Sequence, residues 1–406
     1  RLELYEPEDG PFMAENIDFS LSLNVSAVTE GATVTLSAAG AVFDSEHVGA
    51  LWLLRHYVPE QKVTGNFSST GTSSGIKCFT TWRVISHGTW TGTFSVQKST
   101  DGGATWTNLR TFTSVNDFNA NTSGTEDVEL NPEPFLVRLN MSAHSSGTAN
   151  IDLTTDPFYQ EGIVKITSYS SAASVQAIVL QEVGSTANTT SWNEGAWSDY
   201  RGWPRVARFY KDRLCFAGTT TEPMTVWMTQ TSNYESFKRH TPLLATDAIT
   251  VNIPSRQVNI INGLVALQRL IVLTSASEWS IGPGANGVLT ADVSAGGGID
   301  VRPESYVGSN GVNPIVVGSE TIYAQSNGKV VINMGYELGS DAFSPKKMSV
   351  LSEHLFRKWL IRDMCYQQDP ENLIWILRSD GKLVSVTYLP EQEVIGFAQH
   401  DTGSDQ

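Results

Sequence analysis

A module that recurs at nearly constant spacing constrains this chain more than any other feature. Three segments, Leu270 to Ile281 (LIVLTSASEWSI), Thr321 to Asn333 (TIYAQSNGKVVIN) and Leu373 to Tyr388 (LIWILRSDGKLVSVTY), each place an apolar strand, a tight polar turn and a second apolar strand in series. Their turn serines, Ser275, Ser326 and Ser379, fall 51 and then 53 residues apart. A unit of that size buries its apolar faces only against its neighbours, which is the mark of propellers and related repeat architectures. The expected fold class is all-β: a β-propeller, whose blades this stretch of chain need not supply in full, with an inserted or appended β-sandwich domain.

Composition agrees and removes several function classes. With 406 residues, 40% hydrophobic, 17% charged and 34 glycines, the chain is long enough for two or three cores and reads as turn-rich β structure. The net charge of −15 argues against tight binding to a phosphate backbone, which needs clustered cations to displace counterions. An acidic wall would instead let DNA slide past without sticking. Cys78, Cys215 and Cys365 lie far apart without a CxxC spacing, and the seven histidines show no ligand spacing, so no disulfide framework, metal or cofactor is expected. Without an apolar run of about 18 residues, no membrane insertion is expected, and the start carries no signal-peptide pattern. The opening at Arg1, with no initiator Met, points to an upstream part that is missing.

Along the chain, residues 1–64 read as a β-rich segment, either part of the propeller or a small β domain. Residues 65–184 are rich in Ser, Thr and Gly, with short strands near Ile76 to Ser86, Trp90 to Lys98, Phe135 to Met141, Ile163 to Ser170 and Val175 to Glu182, the pattern of a β-sandwich. Residues 185–406 read as propeller blades. They include an earlier blade over Val206 to Gln230, in which RVARFYKDRLCFAGT and MTVWMTQ look like two strands. One short helix is expected over Lys347 to Trp359.

Ser99-Thr100-Asp101-Gly102-Gly103-Ala104-Thr105-Trp106 matches the Asp-box pattern S-x-D-x-G-x-T-W of sialidases and related propellers. Its chemistry is that of a hairpin brace, with Ser99, Asp101, Gly103 and Trp106 as the structural residues: the carboxylate satisfies turn donors, glycine permits positive φ, and Trp packs on the hairpin base. The single copy, without an arginine cluster and tyrosine nucleophile, weakens the enzymatic analogy. Gly282 to Gly287 fits G-x-G-x-x-G, but more turn and strand follow where a dinucleotide needs a helix N-terminus, so the stretch through Gly298 reads as a long flexible loop. Gly71 to Gly75 fits G-x-S-x-G outside the α/β setting that a nucleophile elbow requires. Glu194, Asp199, Asp212, Asp247 and Glu278 include no pair that sequence alone can set across a scissile bond. Aromatics are densest from Trp192 to Phe237, where burial as a blade core and domain junction is favoured over an exposed stacking platform. The sequons at Asn24, Asn66, Asn121, Asn140 and Asn188 are expected by chance in so Ser/Thr-rich a chain.

Several elements after residue 190 carry a resemblance. They are Trp192-Asn193-Glu194-Gly195-Ala196-Trp197-Ser198, Gly202-Trp203-Pro204-Arg205-Val206, and Asp212-Arg213-Leu214-Cys215-Phe216-Ala217-Gly218-Thr219, followed by Asp247-Ala248-Ile249, Ser277-Glu278-Trp279, Glu304-Ser305-Tyr306, Met364 to Pro370, and the ending Tyr388 to His400 with Asp401-Thr402-Gly403. Together they resemble tail nozzle or DNA-stabilisation proteins, of the tail tubular B type, from double-stranded DNA phages and prophages. The likeness covers most of residues 190–403 and is more diffuse before that. It implies a structural protein with no catalytic residue: a propeller carrying a β-sandwich, assembled as a ring with itself and with other tail proteins at the tail end, around DNA that passes without tight binding. Made in the bacterial cytoplasm, such a protein is expected in the virion. The alternative expectation is recognition of host-surface glycans by the sandwich, with Trp82, Trp90 and Trp106 as stacking residues; hydrolysis of a surface polysaccharide is a further one.

Overall fold

The computed structural model describes residues 5–127, 133–255, 259–292, 298–392 and 394–401. It is all-β, as expected: antiparallel sheets account for nearly all regular structure, and the helical pieces among the described residues are short 3-10 turns. The chain divides into two units, one of Phe12–Gly195 with His240–Leu244, the other of Arg1–Pro11, Ala196–Arg239 and Ala245–Gln406.

The larger part of the second unit is four antiparallel sheets of four strands each, every one a meander in sequence order. These are the blades. The first comprises Val206–Tyr210, Arg213–Ala217, Thr225–Met228 and Ile249–Asn252, and the second Ile261–Ala266, Leu270–Thr274, Glu278–Pro283 and Ile299–Ser305. The third comprises Ile315–Val317, Glu320–Ala324, Val331–Glu337 and Ala342–Lys347, and the fourth Ile361–Gln367, Leu373–Arg378, Leu383–Leu389 and Val394–His400.

Side-chain alternation gives each blade one face for each neighbour. Leu270 and Val272 of the second blade pack with Cys215, Ala217, Val226 and Met228 of the first. Their strand neighbours Ile271 and Leu273 face the other way, onto Tyr323, Ile332 and Met334 of the third. Ile322, Ala324 and Val331 then pack against Ile361, Ile374, Ile376, Val384 and Val386 of the fourth. Burial on both faces is why these strands read as unbroken apolar runs in the sequence.

The recurring turn serines have a common job. In the second blade Ser275 N–H donates to the Ile260 carbonyl (2.9 Å) while Ile260 N–H donates to Ser275 Oγ (3.2 Å). The fourth blade repeats the reciprocal pair between Ser379 and Leu360, at 2.8 and 3.0 Å. In the third, Ser326 N–H donates to the Gly308 carbonyl at 3.0 Å. Each turn is thereby tied to the segment that leads into its blade.

Polar groups inside the blade junctions are satisfied across them. Glu278, with no exposed surface, accepts at Oε1 from the Tyr323 hydroxyl of the third blade (3.0 Å), and at Oε2 from the Ser305 hydroxyl and the Val307 N–H (3.2 Å). Glu320 likewise accepts from the Tyr388 hydroxyl of the fourth blade and from the Asn333 amide (3.0 Å). Burial, reinforced by the adjoining carboxylate, pushes both phenols far above the ordinary tyrosine range, so they stay protonated and keep donating.

Two local expectations are corrected. The segment expected as two strands over Val206 to Gln230 contains three, because Lys211 and Asp212 adopt φ of 44° and 54° and fold RVARFYKDRLCFA into a hairpin of its own. The helix expected over Lys347 to Trp359 is only a 3-10 turn, Val350–Leu355, broken by non-helical φ/ψ at Ser352. Its flanking anchors Met348 and Phe356 are buried in the junction between the third and fourth blades, so that segment serves as a packed connection.

The first unit is built on a six-stranded sheet in the order Leu23–Val25, Thr33–Ala38, Ser174–Gln181, Phe158–Ser171, Leu51–Val58 and Trp192–Glu194. Trp52 lies at its core, edge-on to Phe43 (5.2 Å between ring centroids) and tilted against Trp192 (5.1 Å). A β-sandwich is inserted between Leu51–Val58 and Phe158–Ser171, which pair directly from Val58 opposite Phe158. One of its sheets runs Asn121–Thr125, Thr81–His87, Ala149–Thr155, Gln61–Phe67. The other runs Gly71–Thr72, Phe135–Gly147, Trp90–Ser99, Thr107–Thr113, with Ile76–Cys78 also on Phe135–Gly147. The two enclose a core that includes Trp82, Val84, Phe94, Phe112, Leu139 and Ile151. The boundaries expected near residues 64 and 184 therefore move: strands before residue 59 belong with those after 157, and the main segment of the unit runs to Gly195.

Tyr323→Phe removes one donor from a buried carboxylate and leaves the rest of the ring in place. The expected loss is about 1–3 kcal/mol of unfolding free energy, read from urea unfolding of the variant beside the parent, with an unchanged denaturant slope.

Candidate functional site

The Asp-box residues come together as a closed turn between Trp90–Ser99 and Thr107–Thr113. Asp101 accepts at Oδ1 from the Ser99 hydroxyl (2.7 Å) and the Thr105 N–H (2.9 Å), and at Oδ2 from the Thr105 hydroxyl (2.5 Å). Ser99 Oγ in turn accepts from the Gly103 N–H (2.8 Å), and Trp106 Nε1 donates to the Gly103 carbonyl (2.8 Å). Gly102 and Gly103 adopt φ of 69° and 98°, a region that disfavours side chains and that the turn requires twice in succession. The Thr105 and Ser99 bonds hold the Asp101 carboxyl well below the usual carboxylate range. The side chains of Ser99, Asp101 and Thr105 and the Trp106 indole N–H bond within the loop itself, which is the geometry of a brace.

Of the three tryptophans expected as glycan-stacking residues, two are core residues. Trp82 and Trp90 are each 3% exposed and belong to the sandwich core, which leaves no ring face for a sugar. Trp82 lies across Gly124, where a Cβ would come within 2.2 Å of the indole. Trp106 is half-buried, with the Arg138 guanidinium 4.1 Å above its ring, and a Cβ on Gly75 would stand 3.1 Å from it. The alternation that put Trp82 and Trp90 on strands was legible in the sequence. The face each one turned to was not, because Ser and Thr occupy both faces.

The carboxylates that sequence could not pair have separate local partners. Glu194 sits 3.0 Å from His47 Nε2 in a buried pair; since His47 Nδ1 accepts from the Asp44 N–H (2.8 Å), the proton is on Nε2 and points at the carboxylate. Asp199 accepts from Trp203 Nε1 (2.8 Å), Asp212 lies in the tight turn of the first blade, and Glu278 is sealed between blades. Asp247 is fully buried beside Arg213, whose guanidinium donates to the Asp247 and Thr229 carbonyls at 2.6 Å each. Among the described residues no cluster of three or more His, Cys, Asp or Glu could hold a metal ion. The G-x-G-x-x-G segment ends the strand Glu278–Pro283 and turns back through a Gly287 N–H to Gly284 carbonyl bond, with no helix in 288–292; residues 293–297 of the expected loop lie outside the described residues.

The dense aromatic segment splits. Trp197, Trp227 and Phe237 are buried and close the outer face of the first blade, Trp197 lying 4.9 Å from Phe216, 5.8 Å from Trp227 and 5.0 Å from Phe237. Tyr200, Trp203, Phe209 and Tyr234 are exposed, and Phe209 and Tyr234 meet edge to face at 5.1 Å. This exposed group was not separable from the buried one by sequence, since both share one unbroken aromatic stretch.

Set beside known proteins, the chain matches no family model and no curated protein sequence.

Two outcomes follow from this geometry. Trp82→Ala and Trp90→Ala each empty a core position and cost about 3–5 kcal/mol of stability, measurable by thermal and chemical unfolding. The Asp101 brace contributes stability that is present above the unfolded carboxyl value of about 3.9 and is lost as pH falls through the depressed folded value. The protection of the Gly103 and Thr105 amides, taken as exchange relative to the intrinsic rate at each pH, should therefore fall on acidification below about pH 4, and Asp101→Asn should lower that protection at neutral pH.

Proposed function

We propose that this chain is a structural subunit of a phage or prophage tail, which assembles as a ring at the tail end and forms or closes a conduit for DNA. The observation that carries the reading is the use made of the residues that resemble tail proteins. Trp192 and Glu194 build the six-stranded sheet and its buried His47 pair, Trp197 closes the first blade, and Arg213 ties three carbonyls. Glu278 and Ser305 seal a blade junction, and Glu304 accepts from Ser280 and from the Phe343 N–H (2.9 Å). Each is spent on holding sheets together, as a scaffold requires and as a catalytic centre does not.

The net charge of −15 supports a lumen that repels a polyanion, so that DNA passes without tight binding. The partners in this reading are further copies of the chain and other tail proteins, and the place is the virion, after synthesis in the bacterial cytoplasm. Among the described residues no helix is long and apolar enough to cross a membrane.

The test is particle composition. Virions purified from an induced host should contain the chain in a fixed multiple per particle, and labelled antibody should decorate the tail end under electron microscopy. Particles that lack the chain and still eject DNA normally would overturn the proposal.

A further inference from the structure

The loop that follows the strand Ser174–Gln181 returns to the six-stranded sheet over one histidine. Val183 N–H donates to the Val28 carbonyl (3.0 Å), and Thr189 is tied through its N–H to the Leu23 carbonyl (2.8 Å) and through its hydroxyl to the Arg55 carbonyl (2.6 Å). Asn188 Oδ1 accepts from the Asn24 amide (2.6 Å). Between those anchors Thr186 and Ala187 are exposed, and the Ala187 N–H is spent locally on Ser185 Oγ (3.0 Å). The bond that holds this stretch to the strand Leu51–Val58 comes from His56, whose Nε2 lies 3.0 Å from the Ala187 carbonyl. Gly184 lies against the base of the same side chain, where a Cβ would stand 2.9 Å from His56 Cβ and 3.2 Å from Gln160 Cβ.

His56 is 4% exposed, and its two ring nitrogens are in unlike positions. Nε2 faces a carbonyl and therefore carries the proton. Nδ1 is buried without a protein partner, a place that suits a lone pair and not an N–H. A second proton has only Nδ1 to occupy, so the imidazolium would set a charged donor in a dry site that offers it no acceptor. The charged groups on the elements packed here are engaged with one another. Lys77 pairs with Glu182 (3.0 Å) and donates to Gln160 Oε1 (2.9 Å), while Arg55, on the opposite face of the strand, pairs with Glu161 and with Glu15. Burial accordingly holds the imidazole below the ordinary histidine value, against a smaller opposing effect of the Ala187 bond.

We infer that His56 is an acid-operated latch: its neutral ring holds residues 185–187 on the sheet, and its protonation releases them. The latch is independent of tail membership, since it uses only bonds within this unit. Once released, the ring meets water and regains the ordinary histidine affinity for a proton, so acid favours the released loop. From about pH 6.5 downward, each pH unit shifts the balance towards release by about tenfold, until the seated ring itself titrates. The anchoring bonds at Val183 and Thr189 involve no titrating group, which confines the change to the loop.

A nitroxide on Thr186→Cys, in a chain whose exposed native thiol is removed by Cys365→Ser and whose other two cysteines are buried, reports the loop by electron paramagnetic resonance. Spectra are taken from about pH 7.5 to about pH 5. The mobile fraction should be small at the upper limit and, while it remains the minor form, should rise about tenfold per pH unit below the ordinary histidine value. His56→Gln, whose amide still donates to Ala187 without titrating, should keep the immobile spectrum throughout. A spectrum already mobile at the upper limit, no rise on acidification, a rise that His56→Gln shares, or one accompanied by loss of the near-ultraviolet circular dichroism overturns the inference. Should His56→Gln fail to fold, the titration of His56 in the parent decides, followed by nuclear magnetic resonance: its midpoint should lie below 6.5 and coincide with the change in mobility, and a midpoint at or above that value overturns the latch.

Discussion

A four-stranded meander standing alone leaves two apolar faces in water, and the clusters containing Val272, Tyr323 and Ile374 remove those faces pairwise along the chain. Each buried Leu, Ile or Val contributes about 1.5–3 kcal/mol, so a junction with several such residues outweighs any hydrogen bond within it. The polar groups admitted to the junctions are those that arrive with partners. Glu278 takes the Tyr323, Ser305 and Val307 donors, and Glu320 takes Tyr388 and Asn333, so neither carboxylate enters the core as an uncompensated charge. Apolar burial supplies the energy and the Glu–Tyr pairs fix which strand of one blade meets which strand of the next.

That division of labour bears on function. A carboxylate surrounded by donors in a dry junction is unavailable to a substrate, and Asp101 likewise accepts from the hydroxyls of Ser99 and Thr105 and the Thr105 N–H of its own loop. At the edges of the blade series Phe209, Tyr234 and Leu377 are exposed, while Leu373 and Trp375 are half-buried.

Much of the blade architecture was legible in the sequence because its signal is local. A tight turn between two apolar strands, repeated with a turn serine, needs no knowledge of distant residues, and Ser275 and Ser379 answer that regularity with the same reciprocal bonds to Ile260 and Leu360. The domain limits were less legible, since Leu51–Val58 finds its partner in Phe158–Ser171 about a hundred residues on, and nothing in either strand names the other. The facing of Trp82 and Trp90 was hidden for a related reason: on strands whose polar positions are Ser and Thr, alternation loses its contrast. The hairpin at Lys211 and Asp212 carries little sequence signal, because neither residue is the glycine that most often occupies positive φ.

The sandwich leaves and re-enters its host sheet at adjacent positions, Val58 and Phe158. Those two residues are also where a short β-turn would suffice to join the strands, so the six-stranded sheet owes none of its hydrogen-bond ladder to the material between them. The intervening residues thus behave as an interchangeable cassette: selection can lengthen, replace or discard them while the host keeps its register. Diversity in such a lineage would gather in that cassette, while the blades, each answerable to a neighbour on either side, would drift slowly.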